Sequence, residues 1–70
     1  MKSTVINKVK EFRKNANLTQ EELAKKVGVS RQSIISIELG HYIPSLPLAL
    51  RFARLFKCST DEIFKLEEDI

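Results

Sequence analysis

Residues 18–40 read LTQEELAKKVGVSRQSIISIELG. Thr19 is a good N-cap, and Glu22 stands where a capping box needs an acid. Leu23, Ala24 and Val27 follow at helical spacing and mark one apolar face. Gly28 comes directly after, where a helix stops in the left-handed conformation that glycine tolerates. Ser30 can cap a second helix, and Ile34 and Ile37 give that helix its buried side. The stretch therefore predicts two short helices around a glycine turn.

Such a pair is the helix-turn-helix motif, here over residues 19–39, and the rest of the chain reads as its support. Asn7 can cap a first helix over 8–15, with Val9 and Phe12 facing inward and Arg13 at the edge of the buried face. Asn15-Ala16-Asn17 reads as a turn. His41-Tyr42-Ile43-Pro44 reads as a loop, because proline holds the residue before it extended. Ser45 caps a fourth helix over 46–57, with Pro47 tolerated in its first turn. Leu46, Ala49, Leu50, Ala53 and Phe56 form the expected core stripe, which Phe52 and Leu55 widen. Ser59 and Glu62 form a second capping box before a short fifth helix over 60–64 that brings Ile63 and Phe64 to the core. Thr4-Val5-Ile6 is β-prone, and residues 64–67 alternate apolar and polar. The two segments can pair as a small sheet; the alternative is two frayed ends. The expectation is an all-α single domain over 1–70, with its core in 7–64.

Seventy residues, 43% of them hydrophobic, allow one small core. Stability then depends on tight helix packing or dimerisation. The single cysteine excludes an intramolecular disulfide and suits a reducing cytoplasm. No apolar run reaches the roughly 18 residues of a membrane span, and the first residues lack the pattern of a signal peptide. Residues 1–57 hold eleven Lys/Arg against four acids, a net +7. Residues 58–70 hold one Lys against five acids, a net −4. A basic body fits a polyanion, with the acidic end turned away from it.

Enzyme chemistry finds little material. His41 is the only histidine and Cys58 the only cysteine, and a nucleophile pair would need a third, orienting group. One His and one Cys cannot make a typical zinc set. The two glycines, Gly28 and Gly40, form no phosphate loop. Neither a cofactor nor a metal is expected. The second helix of the motif is different. With Ile34 and Ile37 inward, Arg31, Gln32, Ile35 and Ser36 project outward or toward its N-terminal end. Arginine matches the two acceptors of guanine, and glutamine matches the donor and acceptor of adenine. Gln20, at the start of the first helix of the motif, is placed to meet a phosphate. His41, in the loop that follows, can make a pH-dependent phosphate contact. Tyr42 beside it completes the DNA-facing set.

The stretch, followed by Pro44-Ser45-Leu46 and by Asp61-Glu62-Ile63-Phe64, resembles the Cro/repressor-type (Xre-like) helix-turn-helix family. The resemblance covers the chain from about Val5 to Leu66. It implies a five-helix, lambda-repressor-like domain that binds double-stranded DNA in the major groove. It further implies a transcriptional regulator, mostly a repressor, that binds a near-palindromic operator as a homodimer. Short members pair an N-terminal with a C-terminal strand. By the same resemblance Arg31, Gln32 and Ser36 match the base-reading positions, and Ser33 lies beside them. Gln20 matches a phosphate contact that also braces the base-reading glutamine. Arg13 and Glu38 match an ion pair between helices.

Four positions depart from the family pattern. Ile35 stands at a usually polar site, where it touches either a thymine methyl or another protein surface. Leu39 replaces a usual phosphate-binding residue, His41 replaces a common Lys or Arg, and Ile43 is more apolar than usual. Two dimer faces are open: the last helix and C-terminal strand with Leu66 and Ile70, or Ile35 and Leu39. A DNA-binding antitoxin, or an adaptor that binds protein alone, are the alternatives on this fold.

Overall fold

The computed structural model describes residues 2–69. It contains β1 (Lys2–Asn7), α1 (Val9–Asn15), α2 (Gln20–Val27), α3 (Arg31–Glu38), α4 (Leu46–Phe56), α5 (Thr60–Ile63) and β2 (Phe64–Asp69). The fold is mostly helical, and the two ends of the chain form a two-stranded antiparallel sheet. Val5 lies opposite Leu66 and Thr4 opposite Glu67, so the ends are paired and not frayed. The sheet is longer than residues 4–6 with 64–67 suggested, running from Lys2↔Asp69 to Asn7↔Phe64.

Local signals fix the helix ends. The Thr19 hydroxyl accepts the Glu22 N–H at 3.1 Å, and the Glu22 carboxylate accepts the Thr19 N–H at 2.8 Å. Ser30 and Ser45 accept the N–H groups of Ser33 and Leu48 in the same way. Gly28 is left-handed at φ +78°, and its N–H reaches the Ala24 carbonyl at 2.9 Å. Gly40, at φ +80°, ends α3 in a Schellman motif: His41 N–H bonds Ser36 O and Gly40 N–H bonds Ile37 O. Lys57 ends α4 in the same left-handed region at φ +55°, without glycine's freedom. Asn7 acts one residue further from α1 than expected. Its Oδ1 accepts the Val9 N–H at 3.1 Å, and its Nδ2 donates to the Ile37 carbonyl at 2.9 Å. One side chain thus ties the end of β1 to both α1 and the last turn of α3.

The core consists of Val9, Leu23, Ala24, Val27, Ile34, Ile37, Leu48, Phe52, Ala53 and Ile63. Phe52 is fully buried, with ring centroids 6.4 Å from Phe56 and 6.0 Å from Phe64. Such aromatic pairs add about 0.5–1.5 kcal/mol beyond burial. The expected stripe of α4 needs correction. Leu48, Phe52 and Ala53 face the core, whereas Leu46 and Leu50 are 70% and 52% exposed. Ala53, Phe52, Leu55 and Phe56 pack on the core as expected; α4 is apolar nearly all round, so periodicity alone misplaced Leu46 and Leu50 and missed Leu48. No helix among the described residues is long and apolar enough to cross a membrane.

Candidate nucleic-acid interface

α3 is held on one side and free on the other. Ile34 and Ile37 are fully buried and anchor it against the core. Glu38, at its C-terminal end, is locked by two neighbouring elements. Arg13 of α1 donates from Nε to Glu38 Oε2 at 2.7 Å and from Nη2 to Oε1 at 3.3 Å. Arg13 Nη1 also donates to the Leu18 carbonyl, in the loop before α2, at 2.9 Å. Gln20, the first residue of α2, donates from Nε2 to Glu38 Oε1 at 3.2 Å. The carboxylate therefore gathers α1, α2 and α3. The side chains of Arg13 and Glu38 are only 11% and 4% exposed. Bidentate, charge-assisted bonds suit such a site, because a planar guanidinium fixes direction as well as distance.

The opposite side of α3 carries the candidate contacts. Arg31 and Gln32 are exposed, and Ser33 and Ser36 are half-buried. A shallow cleft of about 270 Å³ is lined by Ser30, Gln32, Ser33, Ser36, His41 and Tyr42. The Schellman turn at Gly40 folds the loop back, so His41 and Tyr42 lie beside the α3 side chains and not beyond the helix end. Arg31 does not line the cleft; it stands exposed in the first turn of α3. Ser33 is partly engaged, its hydroxyl 3.0 Å from the Ser30 hydroxyl. Ser30, read from sequence only as a cap, is part of this surface because its cap position adjoins Ser33. Ile35 is half-buried, as are Ser33 and Ser36. Gln20 directs its amide nitrogen to Glu38. That bond uses one of the two N–H donors of the amide, so the second N–H remains to meet a phosphate while the first braces Glu38.

Two groups among the described residues have shifted acidities. The Glu22 carboxyl is held below its ordinary range, first by the bond from the Thr19 backbone and then by the Thr19 hydroxyl. Lys26 and Lys25 assist through charge. Burial pushes the Cys58 thiol up, and the Glu62 carboxylate beside it adds to the effect. A thiol held in the protonated form is a poor nucleophile. Cys58 instead packs against the core. Among the described residues no group of His, Cys, Asp and Glu is arranged to hold a metal ion.

Two helices around a left-handed glycine, the second with polar side chains outward, define a helix-turn-helix DNA-binding fold. Comparison with known proteins gives the family. The helix-turn-helix family model matches residues 9–63. An uncharacterized HTH-type transcriptional regulator of Methanocaldococcus jannaschii is 56% identical, the match covering 90% of this chain and 96% of that protein. A second, of Bacillus subtilis, is 46% identical over the same shares. The crystal structure of a candidate DNA-binding protein from Bacteroides fragilis superposes with a TM-score of 0.79, covering 89% of this chain and 100% of that one. Its 21% identity makes that likeness one of fold. The chain belongs to the Xre-like helix-turn-helix family of transcriptional regulators. These relatives are regulators, not enzymes.

Proposed function

We propose that the protein is a transcriptional repressor that binds a near-palindromic operator as a homodimer, with α3 of each copy in the major groove. The supporting observation is the two-sided character of α3. Ile34, Ile37 and Glu38 are locked inward, while Arg31 and Gln32 stand free. An α-helix fits the major groove of B-DNA. In this reading Arg31 and Gln32 make the base contacts, with Ser36 beside them. Ser33, His41 and Tyr42 hold the phosphates along the cleft, and Gln20 meets the backbone from the start of α2. The exposed Lys and Arg of the body supply the salt-dependent attraction that positions the duplex. Such a role belongs in the cytoplasm, with the chromosome.

Selection of bound sites from random duplex DNA tests the proposal. The expected result is a two-fold motif whose half-sites recur at about 34 Å, one helical turn. Affinity should fall steeply as salt rises. DNA binding that is absent, or indifferent to salt, refutes the reading and favours a protein partner instead.

A further inference from the structure

Asn7 ends β1, and its side-chain amide is engaged at both polar atoms. Oδ1 accepts the Val9 N–H at 3.1 Å, and Nδ2 donates to the Ile37 carbonyl at 2.9 Å. These partners leave the amide one orientation, since an N–H needs the oxygen and a carbonyl needs the nitrogen. The backbone of Asn7 is anchored as well. It lies opposite Phe64 in the sheet, and the neighbouring Lys8 N–H bonds the Ile63 carbonyl at 2.8 Å. The amide therefore reaches α3 from a fixed point of the fold.

The carbonyl it reaches belongs to the turn that shapes the cleft. Ile37 O also accepts the Gly40 N–H at 3.0 Å, and His41 N–H bonds Ser36 O at 2.9 Å. These bonds turn the chain at Gly40 and bring His41 and Tyr42 alongside Gln32 and Ser36. The last turn of α3 is thus tied from two directions. Arg13 and Gln20 hold the side chain of Glu38. Asn7 holds the backbone of Ile37, from which the His41–Tyr42 loop departs.

We propose that Asn7 is a positioning residue for DNA binding: its amide sets the Gly40 turn, and through it the place of His41 and Tyr42 against the phosphates. The proposal rests on the DNA reading above and adds to it a residue outside the cleft. Asn7 is half-buried and does not line the cleft, so its effect passes through the turn. The chemistry narrows the residue type. Aspartate and serine can each accept the Val9 N–H, as such side chains do two residues on. Neither has an amide nitrogen to donate to Ile37. A binding constellation must be held to within about 0.5 Å, so a released turn weakens binding although every contacting side chain is still present.

Affinity for a duplex selected by the wild type tests the proposal, at a temperature where circular dichroism shows each variant folded. Asn7→Asp and Asn7→Ser should each weaken binding about tenfold. Using both separates the lost bond from the negative charge that only aspartate adds. In a His41→Ala/Tyr42→Ala background the same substitutions should change affinity by less than about twofold, because they act through those two residues. The amide resonances of Gly40 and His41 should shift in both variants, and that of Leu23 should stay in place. Asn7→Thr replaces either variant if it fails to fold, with the same expectations.

Lost assembly is the rival cause of weaker binding. Asn7 lies opposite Phe64, at the start of the strand expected from sequence to dimerise through Leu66 and Ile70; Ile70 lies outside the described residues. Sedimentation of Asn7→Ser at the wild-type mass removes that cause, and a lower mass overturns the proposal. Wild-type affinity in both variants overturns it, as does a loss confined to Asn7→Asp, which is an effect of charge. An equal loss in the background lacking His41 and Tyr42, or unshifted Gly40 and His41 resonances, places the action of Asn7 elsewhere and also overturns it. A wild type that selects no duplex refutes the DNA reading itself, and the role of Asn7 falls with it.

Discussion

Arg13 and Glu38 stand 25 residues apart in the chain and 2.7 Å apart in the fold. The pair does more than bridge two helices. Because Gln20 shares the same carboxylate, the angle between α2 and α3 is set by a hydrogen-bonded knot as well as by apolar packing. Removing one partner leaves the other charge buried. Arg13→Met should therefore cost about 3–5 kcal/mol in a urea titration. Arg13→Met/Glu38→Leu should recover much of that loss, since two apolar groups need no compensation. A double variant as unstable as the single one would show that the bonds to Leu18 and Gln20, not the ion pair, carry the stability.

Gln32→Ala should leave thermal stability unchanged, because the side chain is exposed. At a selected site it should cost about 1–3 kcal/mol of binding, with little loss on random duplex. Competition binding on both DNAs checks this. An equal loss on the two would move Gln32 from base reading to backbone contact.

Left-handed residues give a test of stability with opposite signs. A Cβ added at Gly40 would meet no atom within 4 Å, and one added at Gly28 only an ordinary 3.9 Å contact to Arg51. Strain at positive φ is thus the whole effect of adding a side chain. Gly40→Ala should cost about 1 kcal/mol, and Lys57→Gly should gain up to about that amount. In a domain of this size, calorimetry should read each kcal/mol as about 4–8 °C in Tm.

The capping box at α2 predicts a pH dependence. The folded-state Glu22 carboxyl titrates below its ordinary value of 4.5. The unfolded chain therefore binds more protons in that region, and stability rises with pH there. The contribution is complete above the unfolded value and disappears as pH falls through the folded one. Stability followed from pH 5 downward should fall less steeply in Glu22→Gln than in the wild type.

Local chemistry made much of the fold legible in advance. Thr19, Ser30, Ser45 and Gly28 each act on backbone groups within four residues, so a short window of sequence contains the cause and the effect. The exposed face of α3 followed from Ile34 and Ile37, whose spacing leaves one orientation. α4 was harder. Leu46, Leu48, Leu50, Phe52, Leu55 and Phe56 surround it with apolar side chains, and only the three-dimensional packing decides which side faces the core. The bonds from Asn7 to Ile37 and from Gln20 to Glu38 join residues 30 and 18 positions apart, and no local pattern signals them. The outer sheet pairs were hidden for another reason: Lys2, Ser3, Asn7 and Glu67 to Asp69 are polar residues without strand propensity.

That sheet also bears on how the molecule forms and opens. Pairing Lys2 with Asp69 closes a loop of nearly the whole chain, which is entropically among the slowest contacts to make. α2 and α3, neighbours in sequence, can nucleate long before it. The terminal strands should then be the last element to assemble and the first to open. Amide hydrogens of Val5 and Leu66 should exchange faster than those of Leu23 and Ile37, while the DNA-facing helix stays shut.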